Sequence, residues 1–135
     1  MYLMISNLSK EKPMYSIQFK YLYTVQGYVT FSVHVHSQEF SGASNFCLSE
    51  EAIRSAIVSL SDIYERLQGE YEIWDSDSDD YLIIKSLSYG HFSVFGQLGG
   101  SYNAQYLKYE LQIDQTDLKQ IIENFQRFLR SICEK

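Results

Sequence analysis

Two segments of this chain repeat their apolar residues every three or four positions, while strand-like alternation fills much of the rest. Ala52, Ile53, Ala56, Ile57, Leu60, Ile63, Tyr64 and Leu67 form one helical stripe; Leu118, Ile121, Ile122, Phe125, Phe128, Leu129 and Ile132 form the other. Such stripes must be buried, so each helix needs an apolar surface to lie on. Ser49 stands where the first helix needs an N-cap, with Glu50 and Glu51 in the dipole-favoured first turn, and Gly69 is placed to end it as a left-handed residue. Asp114 and Asp117 form a variant capping box for the second.

The surfaces come from alternation with period two. Tyr15, Ile17, Phe19, Tyr21, Tyr23 and Val25 face one way and Ser16, Gln18, Lys20 and Thr24 the other, with Leu22 breaking the polar side. After a Gln26-Gly27 turn, Val29, Phe31, Val33 and Val35 alternate with Thr30, Ser32, His34 and His36, which predicts a hairpin. Ser41 to Asn45 reads as loop. Four more strands are predicted at Tyr71–Trp74, Tyr81–Leu87, Phe92–Leu98 and Gln105–Ile113, with connections too short for parallel crossovers. The expected fold is therefore α+β, in the order β-β-α-β-β-β-β-α. It would be one six-stranded antiparallel sheet with both helices on one face and the other face open to water. With 135 residues this is a single domain, 1–135, with residues 1–13 before Pro13 as a leader.

Charge narrows the function. Six of the 17 acids lie between Glu70 and Asp80, where there is no Lys or Arg; the rest of the chain carries 11 acids and 11 bases. The whole net charge of −6 thus sits in one short segment. Such a focus attracts cationic surfaces and repels phosphate backbones, so a nucleic-acid partner is not expected. No stretch approaches a membrane span, and Met1 to Pro13 shows no signal-peptide pattern, so a membrane partner is not expected and a cytoplasmic location is. Cys47 and Cys133 match no zinc or redox spacing and read as plain thiols, the second packed at the end of the last helix.

The search for chemistry finds little. Asp75, Asp77 and Asp79 occupy the first, third and fifth places of a calcium loop, but the sixth is Asp80 and the twelfth Ser86, where glycine and glutamate are required. The segment is then either a charged hairpin turn or a patch facing a partner. His34 and His36 point the same way from one strand, and a third metal ligand such as His91 would have to come from elsewhere. No nucleophile elbow is present, and Gly96 to Gly100 lacks the Lys-Ser/Thr of a phosphate loop, so those glycines read as a bulge or tight turn. Neither a cofactor nor an enzymatic activity is expected. Trp74, the only tryptophan, adjoins the acids, and exposed tryptophans are frequent binding anchors. Glu70, Glu72, Trp74, Asp75, Asp77, Asp79 and Asp80 are accordingly the candidate partner-binding residues.

Leu67-Gln68-Gly69 before Trp74, Gly90-His91-Phe92-Ser93-Val94-Phe95-Gly96-Gln97-Leu98, and Leu107-Lys108-Tyr109-Glu110 leading to Asp114-Gln115-Thr116 and Leu118 together carry a resemblance. From Gly69 onward the chain resembles bacterial immunity proteins of the WapI-immunity type, which neutralise cognate polymorphic or contact-dependent toxins. The resemblance covers about half of the chain. It implies an intracellular protein that binds one toxin domain and blocks it without catalysis; many such toxins are nucleases, with basic clefts that an acidic patch would complement. The alternative is a small-molecule or regulatory binding module that uses the open sheet face.

Overall fold

The computed structural model of the chain describes residues 15–101 and 105–133, so the expected leader lies outside the described residues. Among the described residues seven strands and two long helices follow one another: β1 (Tyr15–Val25), β2 (Tyr28–Ser37), β3 (Phe40–Ser49), α1 (Glu50–Arg66), β4 (Glu70–Trp74), β5 (Tyr81–Ser86), β6 (His91–Leu98), β7 (Leu107–Asp114) and α2 (Gln115–Cys133). The fold is α+β with antiparallel pairing throughout, but the single six-stranded sheet is not what forms. β1-β2-β3 make one sheet and β4-β5-β6-β7 a second.

The difference comes from β3, whose first half was expected to be loop. Ser41, Gly42, Ala43, Ser44 and Asn45 have low strand propensity, but propensity yields to pairing. One side of β2 is bonded to β1, and its other row of N–H and C=O groups needs a partner. The tight Ser37–Phe40 hairpin, with Gln38 at φ +57°, supplies β3, which pairs with β2 from Phe40 to Ser49. Farther along, Phe46 and Leu48 are buried and anchor the strand to the core. The four-stranded meander β4–β7 forms as the short connections predict.

In β1 the register shifts between Tyr21 and Tyr23, which makes Leu22 an extra residue. This bulge reverses the faces beyond it. Tyr23 and Val25, expected on the apolar side, are 54% and 56% exposed, while Thr24 turns inward and its hydroxyl lies 2.9 Å from Ser131 Oγ on α2.

Both strand-to-helix junctions are capped. Ser49 Oγ accepts from Ala52 N–H at 3.1 Å. Asp114 and Asp117 exchange backbone-to-carboxylate bonds of 3.2 and 3.0 Å, the predicted box. The far end of α1 differs from expectation. Leu67, at φ +57°, is itself the left-handed residue, and its N–H bonds Ile63 O at 2.8 Å. Gly69, at φ +111°, instead turns the chain into β4.

One continuous core joins the sheets and helices. It includes Phe19, Phe31 and Phe46 of the first sheet, Leu82, Phe92 and Leu111 of the second, Ile53 and Leu60 of α1, and Phe125 and Phe128 of α2. α1 lies beside β3, β4 and α2, and α2 beside β1, β2 and β7. Phe31 stacks on Phe128 at 4.9 Å and meets Phe125 edge-on at 5.7 Å, a geometry that ring quadrupoles favour.

Candidate partner interface

The acidic run lies on the β4–β5 hairpin, and its residues divide by where the pleat and the loop send them. Glu70, Glu72 and Trp74 share the outer face of β4, since side chains alternate and Ile73 is buried. Trp74 pairs with Tyr81 across the strands, and their rings stand 4.8 Å apart. Its indole N–H donates to Glu72 Oε1 at 2.9 Å, so a half-exposed ring is held in place from two sides.

The loop turns Asp75 and Asp80 inward. Asp75 N–H bonds Asp80 O at 3.0 Å and closes the loop. The Asp75 carboxylate accepts from Cys47 N–H at 2.8 Å and from the Ser78 hydroxyl at 2.7 Å, and Ser76 N–H bonds Cys47 O at 3.1 Å. The loop is thereby stitched to β3. Asp80, only 2% exposed, accepts from Gly99 N–H (2.8 Å), Gly100 N–H (2.7 Å), the Ser44 hydroxyl (2.9 Å) and Gln97 Nε2 (3.3 Å). Asp79 accepts from Ser101 N–H at 3.0 Å, Gln97 Nε2 at 3.2 Å and the Ser101 hydroxyl. Those bonds, the Ser101 hydroxyl first, hold the Asp79 carboxyl below the usual carboxylate range. A buried carboxylate is stable only when such donors satisfy it.

Three of the acids therefore tie the β4–β5 loop to β3 and to the β6–β7 turn. Glu70, Glu72 and Asp77 remain exposed, with Trp74 beside them. The structure does not use the run as a cation loop. N–H and O–H groups occupy the oxygens of Asp75, Asp79 and Asp80, and a cation would face those same donors. Among the described residues no three His, Cys, Asp or Glu side chains gather to hold a metal. His34 Nε2 lies 2.7 Å from Ser32 Oγ on the first sheet, while His91 begins β6 in the second. Both cysteines are free; burial pushes the Cys47 thiol up, and Cys133, expected to pack, is exposed.

Sequence reasoning did not find Ser44, Gln97 and Ser101, whose contacts join segments far apart in the chain. A signal for Gly99 and Gly100 was present. Both have positive φ (+103° and +76°), and the tight turn expected there points two N–H groups at Asp80. Gly96 has another role: it pairs with Tyr109, and a Cβ at this position would press into the Tyr81 carbonyl and the Tyr109 hydroxyl.

The outer face of the second sheet continues from Trp74. Rows across it run Trp74–Tyr81–Gln97–Lys108 and Glu72–Ile83–Phe95–Glu110. An open groove of about 710 Å³ lies over this face, bordered by Lys85, Phe95 and Glu110. A half-buried apolar strip is thus rimmed by charges.

A profile of the Immunity protein WapI-like family matches residues 18–132. The chain belongs to that family. The match takes in the first sheet as well as the second, beyond the half that the sequence motifs covered. No curated protein is similar enough in sequence to count as a match. Among solved structures, WHY1 from Arabidopsis thaliana superposes with a TM-score of 0.50 at 12% identity, over 90% of this chain and 87% of that one. The trypanosoma bruciei MRP1/MRP2 structure gives 0.48 at 9% identity, over 98% and 91%. The likeness to WHY1 is one of fold.

Proposed function

We propose that this WapI-like immunity protein binds and neutralises a cognate toxin domain by protein–protein contact, without catalysis, through the acidic and aromatic end of its second sheet. The observation that carries the reading is Trp74: half exposed, tilted against the Tyr81 ring, bonded to Glu72, and flanked by the exposed acids Glu70, Glu72 and Asp77. A ring already fixed in its bound position loses little freedom on association, which is what a binding anchor needs. Glu70, Glu72 and Asp77 supply the field that draws a basic partner, while Asp75, Asp79 and Asp80 hold the loop that presents them. A nuclease toxin, whose cleft must be basic to hold phosphates, fits this requirement. On this reading the protein works in the cytoplasm, where such a toxin acts. No described helix is long and apolar enough to cross a membrane.

The test begins with a tagged pull-down from the native organism at two salt concentrations, followed by calorimetry with the captured toxin domain. Trp74→Ala should weaken binding by ten-fold or more, about 1.4 kcal/mol or above. Glu70→Gln, Glu72→Gln and Asp77→Asn together should slow association and flatten its salt dependence. Unchanged affinity and salt slope in both variants would move the interface elsewhere.

A further inference from the structure

The first sheet ends in an edge, β3, that the described residues leave partly open. Pairing with β2 uses the even positions of β3, so the odd positions direct their N–H and C=O groups away from the sheet. Cys47 shows this directly: its N–H and C=O are taken by Asp75 and Ser76 of the acidic loop. The next odd positions, Asn45, Ala43 and Ser41, are exposed, and no group among the described residues meets their outward N–H or C=O. They span about 13 Å of extended backbone.

Natural sheets shield such edges with lysines, prolines, bulges or short strands. The other edges here follow that rule. β1 carries Lys20 and the bulge at Leu22, β4 has five residues including Glu70 and Glu72, and β7 carries Lys108 and lies against β1 and β2. The open stretch of β3 has none of these devices, and Ser41, Ala43 and Asn45 would not obstruct a neighbouring strand. We propose that this edge is a strand-docking site that takes an extended segment of the partner protein, with a basic side chain where that segment reaches Asp77. The inference deepens the toxin-binding reading and rests on it for which protein supplies the strand.

Charge selects a foreign strand over a second copy of this chain. Two β3 strands pairing antiparallel about Ala43 would bring Glu39 of the copy toward the Asp75–Asp80 loop, acid against acid. The loop's occupation of Cys47 also sets the limit of the site, since an added strand must stop there and meets exposed Asp77 as it does.

The probe is a capped seven-residue peptide of alternating threonine and valine with a lysine at each end, added to the full chain while amide exchange is followed by NMR. The amides of Ser41, Ala43 and Asn45 should exchange fast alone and at least ten-fold slower with millimolar peptide. Those of Gly42 and Ser44, already bonded to β2, should not change. A peptide N-methylated at alternate positions should give no protection. Ala43→Pro, which removes only an outward N–H, should abolish protection at Ser41 and Asn45 while Gly42 and Ser44 stay slow. Unslowed outward amides, or equal protection by the methylated peptide, would overturn the proposal. So would protection that rises with protein concentration alone, with a dimer in sedimentation. No toxin enters this assay, so it can fail while the Trp74 interface stands, and the calorimetry with Trp74→Ala can fail while it succeeds.

Discussion

In the first half of the molecule three strands joined by two-residue turns run straight into α1 through Ser49. In the second, four strands run straight into α2 through Asp114. The halves share a plan, an antiparallel sheet whose last strand becomes a capped helix, and differ in their connections. The first half has tight hairpins and a bare edge. The second has a six-residue acidic loop and a glycine turn that lock into each other through Asp79 and Asp80. The shared parts build the core, and the differing parts make the surface. Charge and the fixed tryptophan gather where the second half departs from the first.

The sharpest way to break that contrast is to compare two acids three positions apart. Asp80→Ala removes the acceptor for Gly99 N–H, Gly100 N–H and the Ser44 hydroxyl at a buried site. Each orphaned donor costs about 1–3 kcal/mol, less where water enters, so the loss should be about 3 kcal/mol. Asp77→Ala, at an exposed position, should change stability by less than about 0.5 kcal/mol. Urea unfolding of both variants checks the pair. Equal losses would mean that the acidic run acts as one electrostatic unit and not as a split one.

Much of this was legible in advance, and the failures have physical causes. Both helices, their caps and the β4–β7 meander could be read because apolar period and turn chemistry agree there locally. β3 was missed because Ser41 to Asn45 form a strand only on account of β2's unpaired backbone, which no local pattern reports. The bulge at Leu22 appeared in the sequence as a flaw in the alternation, and it meant that Tyr23 and Val25 change face. In the acidic run the charges were visible but their directions were not. Which carboxylates turn inward depends on Ser44, Gln97 and Ser101, which meet the loop only in the folded chain.

A subtler probe of the lock is pH. The Asp79 carboxyl is depressed by the Ser101 bonds, so its contribution is fully present above the ordinary carboxylate pKa and is lost as pH falls through the depressed value. Asp79→Asn cannot titrate, so the variant should lose less stability between pH 5 and about 2 than the parent does. The two melting-temperature curves should converge toward the acid end. Curves that stay parallel throughout that range would assign the acid sensitivity to other groups.

The smallest effect tests the second half in the opposite direction. Tyr109 is 8% exposed, and its hydroxyl has no hydrogen-bond partner among the described residues; burial first, then the nearby Asp80 and Tyr81, pushes its ionisation up. Its ring is part of the buried core, and its hydroxyl lies against Gly96, where a Cβ would crowd it. The ring is thus useful and the oxygen is not, since a buried hydroxyl without a partner has lost its water and gained nothing. Tyr109→Phe keeps the ring and removes that loss, so it should stabilise the protein by up to about 1 kcal/mol. A measured destabilisation would mean that the hydroxyl reaches a partner in solution, and the space between Gly96 and Asp80 would then hold an ordered water.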